Sequence, residues 1–311
     1  MNIKKILSFI IIISLAVISF YKIETNFNLP QSSNKSENKT NSSSKSHTLK
    51  VLDTDNKIVT MSLEEYVIGV VAAEMPASFE LEALKAQAVA SRTYAMYKKS
   101  LNNEYDVTTT ISDQAYINEE QMQAKWNESF EKYYNKIKQA VNETKNQIIT
   151  YQDQAIKAYY FSMSNGYTED AINVFNASED YLVSVESVDE ATATTSTYKT
   201  INIPKEEFCN KLNIECQNII VSNINKSSTG RINSLNVNGK EFSGTEFRQK
   251  LSLRSTDFTI TINDNQIVIT TNGYGHGVGM SQYGANALAK KGQNYQEILT
   301  HYYQKVQINK I

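Results

Sequence analysis

The sequence from Glu64 to Tyr97, EEYVIGVVAAEMPASFELEALKAQAVASRTYAMY, decides how the surrounding chain folds. Ser62 stands just before it as an N-cap, and Glu64 and Glu65 place acids in the first helical turn. Pro76 stops that helix near Met75. A second, alanine-rich helix is predicted from about Glu80 to Lys99. Its Leu81, Leu84, Ala86, Ala88, Val89, Ala90 and Ala95 leave few faces for solvent, so this helix belongs in a core.

The polar residues within this apolar stretch are its candidates for chemistry. Glu74 follows Val70, Val71, Ala72 and Ala73, company that strips solvent from a carboxyl and raises its pKa. The negative end of the helix dipole acts in the same direction, by about 0.3–1 kcal/mol. A general acid needs such a proton held near neutral pH. The alternative is a glutamate at a helix end facing water. Lys85 and Arg92, seven residues apart, share a helix face about 10 Å apart along the axis. Gln87 and Tyr94 form a second such pair. Lys85 and Arg92 either hold an anionic or hydroxyl-rich substrate near Glu74, or bridge to Glu64, Glu65 or Glu82.

Working outward, LKVLDTDNKIVTM reads as a hairpin turning at Asp55-Asn56. A third helix is predicted from about Asn118 to Thr144, with Trp126, Phe130, Tyr133, Ile137 and Val141 at spacings of three and four. IITYQDQAIKAYYFSMS reads as a further hairpin, and a short helix begins at Pro204. Residues 219–271 read as short strands with turns at Asn238-Gly239 and Asp264-Asn265. Helices follow from about Gln282 to Lys291 and Tyr295 to Tyr303. Grouped helices and antiparallel strands fit an α+β fold better than a doubly wound sheet. The predicted organisation is residues 49–311 as one folded region, with a possible subdivision near 200.

Ahead of it, Lys4 and Lys5 precede an uncharged run from Ile6 to Tyr21, about 24 Å long as a helix. The reading favoured over a cleaved signal peptide is a transmembrane signal-anchor in residues 1–23, with the N-terminus cytoplasmic and the remainder outside. Residues 24–48, with SSNKSENKTNSSSKSH, carry almost no apolar side chain and read as a disordered polar linker. Its r.m.s. reach is about 25–30 Å. The chain of 311 residues has 31 basic and 33 acidic side chains, which argues against a nucleic-acid binder. Two cysteines and three histidines leave little for a metal centre, and no metal or cofactor is expected.

In the segment TNGYGHGVGMSQYGANALAKKG, the stretch up to Gly284 alone holds Gly273, Gly275, Gly277, Gly279 and Gly284, five of the chain's 11 glycines. Neither dinucleotide-binding nor P-loop spacing is present. His276 sits in its middle and Ser281, Gln282 and Tyr283 open the next helix. A polar cleft wall and a tight structural turn both fit. Cys209 and Cys216 are either a disulfide closing a small loop or two free thiols.

Three blocks, EYVIGVVAAEMPASFELEALKAQAVASRTYA, YYFSMSNGYTED and GYGHGVGMSQYGA, together resemble the stage II sporulation protein D family, over roughly residues 49–305. The resemblance implies a lytic transglycosylase that cleaves peptidoglycan between N-acetylmuramic acid and N-acetylglucosamine during forespore engulfment. It implies Glu74 as the catalytic acid and base, and Lys85 and Arg92 as substrate contacts. Tyr167, His276, Gln282 and Tyr283 are further expected cleft residues. Asp113 and Glu169 are the candidates for a second carboxylate, which a hydrolase would need. Some relatives bind zinc through histidine and cysteine near the segment that here reads FSMSNGYTED. Ser162, Met163 and Ser164 offer no such ligand. The implied partners are an amidase/endopeptidase that strips stem peptides and a polytopic membrane protein of the engulfment complex. The alternative is a non-catalytic wall-binding module of the amidase-enhancer kind.

Overall fold

The computed structural model describes residues 47–187, 190 and 196–311. The expected anchor, and the linker up to residue 46, lie outside the described residues. Among the described residues no helix is long and apolar enough to cross a membrane. Residues Ser46–Ile311 form one compact unit that contains two hydrophobic cores.

The first core is built around two helices. Strands β1 (Thr48–Leu52) and β2 (Ile58–Ser62) form the expected hairpin, with Asn56 at φ 60° in the turn. Helix α1 (Leu63–Glu74) starts at a capping box in which Ser62 and Glu65 bond each other's backbone N–H. Helix α2 (Leu81–Ser100) is wrapped on nearly every side, by α1, by α4 (Phe130–Glu143), by β4 (Gln147–Tyr151), and by α8 (Gln282–Lys290) and α9 (Tyr295–Tyr302). Thr93 Oγ1 accepts the Ile149 N–H at 2.8 Å, which ties α2 to β4.

The predicted third helix is two helices. α3 (Glu119–Trp126) ends in a 3₁₀ turn, Asn127–Ser129, before α4. Asn127 takes φ 46°, and asparagine tolerates that left-handed region better than most residues. The apolar period continues across the break because both pieces pack on the same core. The predicted hairpin at 148–164 is also shorter than expected. β4 pairs with β5 (Gln154–Ala155) over two residues, and its longer partner is β14 (Gln307–Lys310). Tyr160–Phe161 forms β6, parallel to β13 (Met280–Ser281).

The second core lies between residues 203 and 269. Strands β11 (Phe258–Ile262), β12 (Gln266–Asn272) and β7 (Tyr198–Pro204) form one antiparallel sheet, and β10 (Lys240–Ser243), β9 (Ile232–Val237) and β8 (Val221–Lys226) another. After the short helix α5 (Ala171–Phe175), helix α6 (Lys205–Leu212) begins after Pro204, as expected. Helix α7 (Gly244–Leu251), capped by Ser243, interrupts the region read as strands alone. Its eight residues are too few for a clear helical period.

Cys209 and Cys216 form a disulfide at the end of α6. In the chain-entropy account a loop this short contributes about 2–3 kcal/mol. Cys209→Ser is therefore expected to lower the unfolding free energy in urea by about that amount. A variant as stable as the wild type would show that the bridge constrains nothing in the unfolded chain.

Candidate functional site

Glu74 is the last residue of α1, and the loop from β3 (Val107–Thr108) to α3 is laid across that helix. The laying is specified by Gly69. A Cβ at Gly69 would sit 2.1 Å from the Tyr116 ring, which instead packs there and stacks on Tyr66 at 5.8 Å. The Ile117 N–H bonds the Gly69 carbonyl at 3.3 Å. So fixed, the loop delivers the Ala115 N–H to Glu74 Oε1 at 2.7 Å.

Burial pushes the Glu74 carboxyl above its ordinary pKa. The Ala115 N–H, the Tyr160 hydroxyl and the charge of Lys125 pull the other way without cancelling it. Lys125 is anchored on the Ala72 carbonyl at 2.9 Å. Burial and the neighbouring Glu74 hold the Tyr160 phenol protonated, and Gln114 Nε2 donates to its oxygen at 3.0 Å.

Glu74 lines a cleft of about 490 Å³, together with Tyr94, Asp113, Gln114, Tyr159, Tyr160, Arg248, Tyr274, His276 and Gln282 among others. The first core supplies Glu74, Gln114 and Tyr160, and the second supplies Arg248 from α7. The glycine-rich loop runs between β12 and β13 and carries His276 into the cleft wall. Gly279 shows why this loop needs glycine. It has φ 78°, and a Cβ there would lie 2.0 Å from the Tyr159 carbonyl oxygen. His276 Nδ1 accepts the Val278 N–H at 3.1 Å. Burial, and then the charges of Arg248 and Arg231, lower its pKa to about 4, so the ring is neutral at physiological pH.

The structure brings Glu74, Asp113, His276 and Gln282 to one cleft and places the other expected site residues elsewhere. Arg92 is fully buried, with its guanidinium forked on Glu64 at 2.6 Å and bonded to the carbonyls of Ala88, Val141 and Gln147. Lys85 lies between Glu82 and Glu143, at 2.7 and 2.6 Å. Both therefore have protein partners where substrate contacts were expected. α2 meets the cleft through Tyr94, and the face that carries Lys85 and Arg92 is turned to protein partners instead. The Tyr283 ring packs edge-on against Phe79. Tyr167 is half exposed and pairs with Glu186 outside the cleft lining.

The two candidates for a second carboxylate are both engaged. Asp113 pairs with Lys98 at 2.8 Å and accepts from Tyr94 and from the Thr108 N–H. Glu169 is absent from the cleft lining and accepts from Ser227, Thr229, Asn173 and the Asp170 N–H, bonds that hold it ionised. Sequence reasoning missed Gln114, Tyr160, Arg248 and Tyr274. The YYFSMS block carried the signal for Tyr160, and nothing near Arg248 set it apart.

A family model described as "Stage II sporulation protein" matches residues 53–151. Stage II sporulation protein D of Bacillus subtilis is 40% identical over 264 residues, which span 82% of this chain and 76% of that protein. The protein of the same name from Bacillus amyloliquefaciens is 39% identical over the same shares. An amidase enhancer of Bacillus subtilis is 28% identical over 76% of this chain and 39% of its own length. The cleft residues Glu74, Gln282 and His276 thus sit in a chain that belongs to the stage II sporulation protein D family.

Proposed function

We propose that this protein is a peptidoglycan lytic transglycosylase of the sporulating cell, with Glu74 as its acid and base. The observation that carries the reading is that, among the described residues lining the cleft, Glu74 is the one carboxyl without an ion pair. Burial raises the pKa of Glu74 above the ordinary carboxyl value, while Asp113 is committed to Lys98. A glycoside hydrolase ordinarily places two working carboxyls across the bond. One suffices if acid and base act in turn on the same substrate. Glu74 gives its proton to the glycosidic oxygen as the bond to muramic C1 breaks. The resulting carboxylate takes the proton of the muramic 6-hydroxyl, whose oxygen closes onto C1. The product is a 1,6-anhydro end, and Glu74 is returned protonated with no water consumed.

His276 and Gln282 suit sugar hydroxyls as neutral hydrogen-bonding groups. Gln282 is braced from behind by the buried Gln87, to which its Nε2 donates at 3.3 Å. The protein is proposed to act on septal wall, held at the membrane by the anchor read in residues 1–23. An amidase that strips stem peptides and a polytopic membrane protein are its proposed partners.

The likeness to an amidase enhancer supports a second reading, a wall-binding module that cleaves nothing itself. Weighing the fragments of purified glycan strands after digestion separates the readings. Ends one water lighter than hydrolysis products are expected. Reducing ends would make the protein a hydrolase, and intact strands would favour the binding module.

A further inference from the structure

Arg248 is the one member of the cleft lining that the proposed chemistry leaves unused and that carries a full positive charge. Its guanidinium is largely withdrawn from solvent, and burial lowers its pKa. Such a group ordinarily has an assigned carboxylate. Arg92 has Glu64, and Arg231 faces Glu169. Arg248 forms no ion pair among the described residues, and the ionisable groups facing it are Tyr274 and the neutral His276. Its Nε donates to the Arg254 carbonyl at 3.1 Å, and no hydrogen bond among the described residues uses its two terminal nitrogens.

A second cation stands beside it. The Arg254 guanidinium lies 5.2 Å from the centre of the Tyr274 ring, and it too has no ion pair among the described residues. The Arg254 carbonyl accepts both Arg248 Nε and the Gly275 N–H, the latter at 2.9 Å, so the glycine-rich loop and α7 are fixed to each other there. Both cations thereby face one exposed tyrosine, Tyr274, which lines the cleft that contains Glu74 together with Arg248.

We propose that Arg248 and Arg254, grouped around Tyr274, form a subsite for a carboxylate carried by the bound strand. The proposal rests on the reading of this cleft as a glycan site. A guanidinium fork matches a planar carboxylate with two parallel hydrogen bonds. The tyrosine ring offers an apolar face for the sugar that bears it. Wall polymers present carboxylates from two sources, the lactyl group of muramic acid and the stem peptide, and both have the chemistry this subsite takes.

The test is binding, measured on the full chain carrying Glu74→Gln so that strands persist. Three preparations are compared: bare strands with free lactyl carboxylates, the same strands with those groups converted to methylamides, and strands retaining stem peptides. At least one carboxylate-bearing preparation is expected to bind about tenfold to a hundredfold more tightly than the methylamide strands. Arg248→Met and Arg254→Gln bring that ratio toward one, with Arg248→Lys intermediate. Raised salt erodes the ratio in the parent and not in these variants.

A ratio that appears with bare strands assigns the lactyl group. One that appears only with peptide-bearing strands assigns the stem peptide. Both outcomes support the subsite. Equal weakening of all three preparations, or no change in any, overturns it and leaves the glycan reading standing. Failure of the parent to bind any strand sinks both. Should Arg248→Met disturb α7, Arg254→Gln decides, because the Arg254 side chain makes no hydrogen bond among the described residues.

Discussion

Replacing Glu74 with glutamine is expected to slow strand cleavage by about 10²–10⁴-fold, the range over which a general acid–base group contributes. Glutamine keeps an oxygen for the Ala115 N–H, so the loop stays in place while the transferable proton is lost. The pH profile supplies an independent readout. In the proposed reaction only protonated Glu74 can start the cleavage. Burial holds its pKa above the ordinary carboxyl value, so kcat/KM persists beyond that range and falls as pH rises through the elevated value. The Lys125 charge lowers that value, so Lys125→Met moves the fall to higher pH. A profile that does not move in this variant would mean another group is being titrated.

The same shift bears on stability. A carboxyl whose pKa is raised in the folded protein binds its proton more tightly there than in the unfolded chain. Its contribution is fully present below the unfolded pKa and is lost as pH rises through the folded one. Above its folded pKa the ionised, half-buried Glu74 therefore weighs against the fold, and there Glu74→Gln is expected to resist urea better than the wild type. Loss of activity with a gain in stability is the signature of a functional group held in an unfavourable place. A variant that is both inactive and less stable would point to a structural role.

Local signals made much of the scaffold legible. Ser62, Glu65 and Pro76 bound α1 by interactions within a few residues of each other, and Asn238-Gly239 marks its turn in the same way. Glu74 was readable because it ends a helix whose preceding Val70, Val71 and Ala72 are all buried. The rest of the cleft was not, for the opposite reason. Gln114, Tyr160 and Arg248 reach Glu74's cleft only through tertiary packing, from a loop, a two-residue strand and a helix of the other core. The break at Asn127 was hidden because two helices that share a core keep one apolar rhythm. Spacing placed Lys85 and Arg92 on one face of α2 but could not say what that face meets. That face meets Glu64, Glu82 and Glu143, while the neighbouring face brings Tyr94 to the cleft.

Arg92 therefore supplies the largest expected effect on stability. Its guanidinium is wholly buried, forked on Glu64, and also donates to three carbonyls, two of which lie outside its own helix in α4 and β4. Arg92→Met keeps the volume roughly filled and removes every donor. The Val141 and Gln147 carbonyls lose this donor, and Glu64 keeps only the Asn146 N–H at 3.2 Å. Removing one partner of a buried pair costs about 3–5 kcal/mol, mainly because the other is left desolvated and unanswered. Arg92→Lys restores the charge without the fork and should recover part of that loss. The substrate-contact reading makes the contrary forecast: a normally stable Arg92→Met protein with weakened strand binding. Urea unfolding beside a binding curve decides between them. Arg92→Glu is expected to fail to fold, whereas the double change Arg92→Met with Glu64→Leu, which removes both charges, should be more stable than Arg92→Met alone. Were the double variant the less stable of the two, the pair would not be what joins α2 to α1.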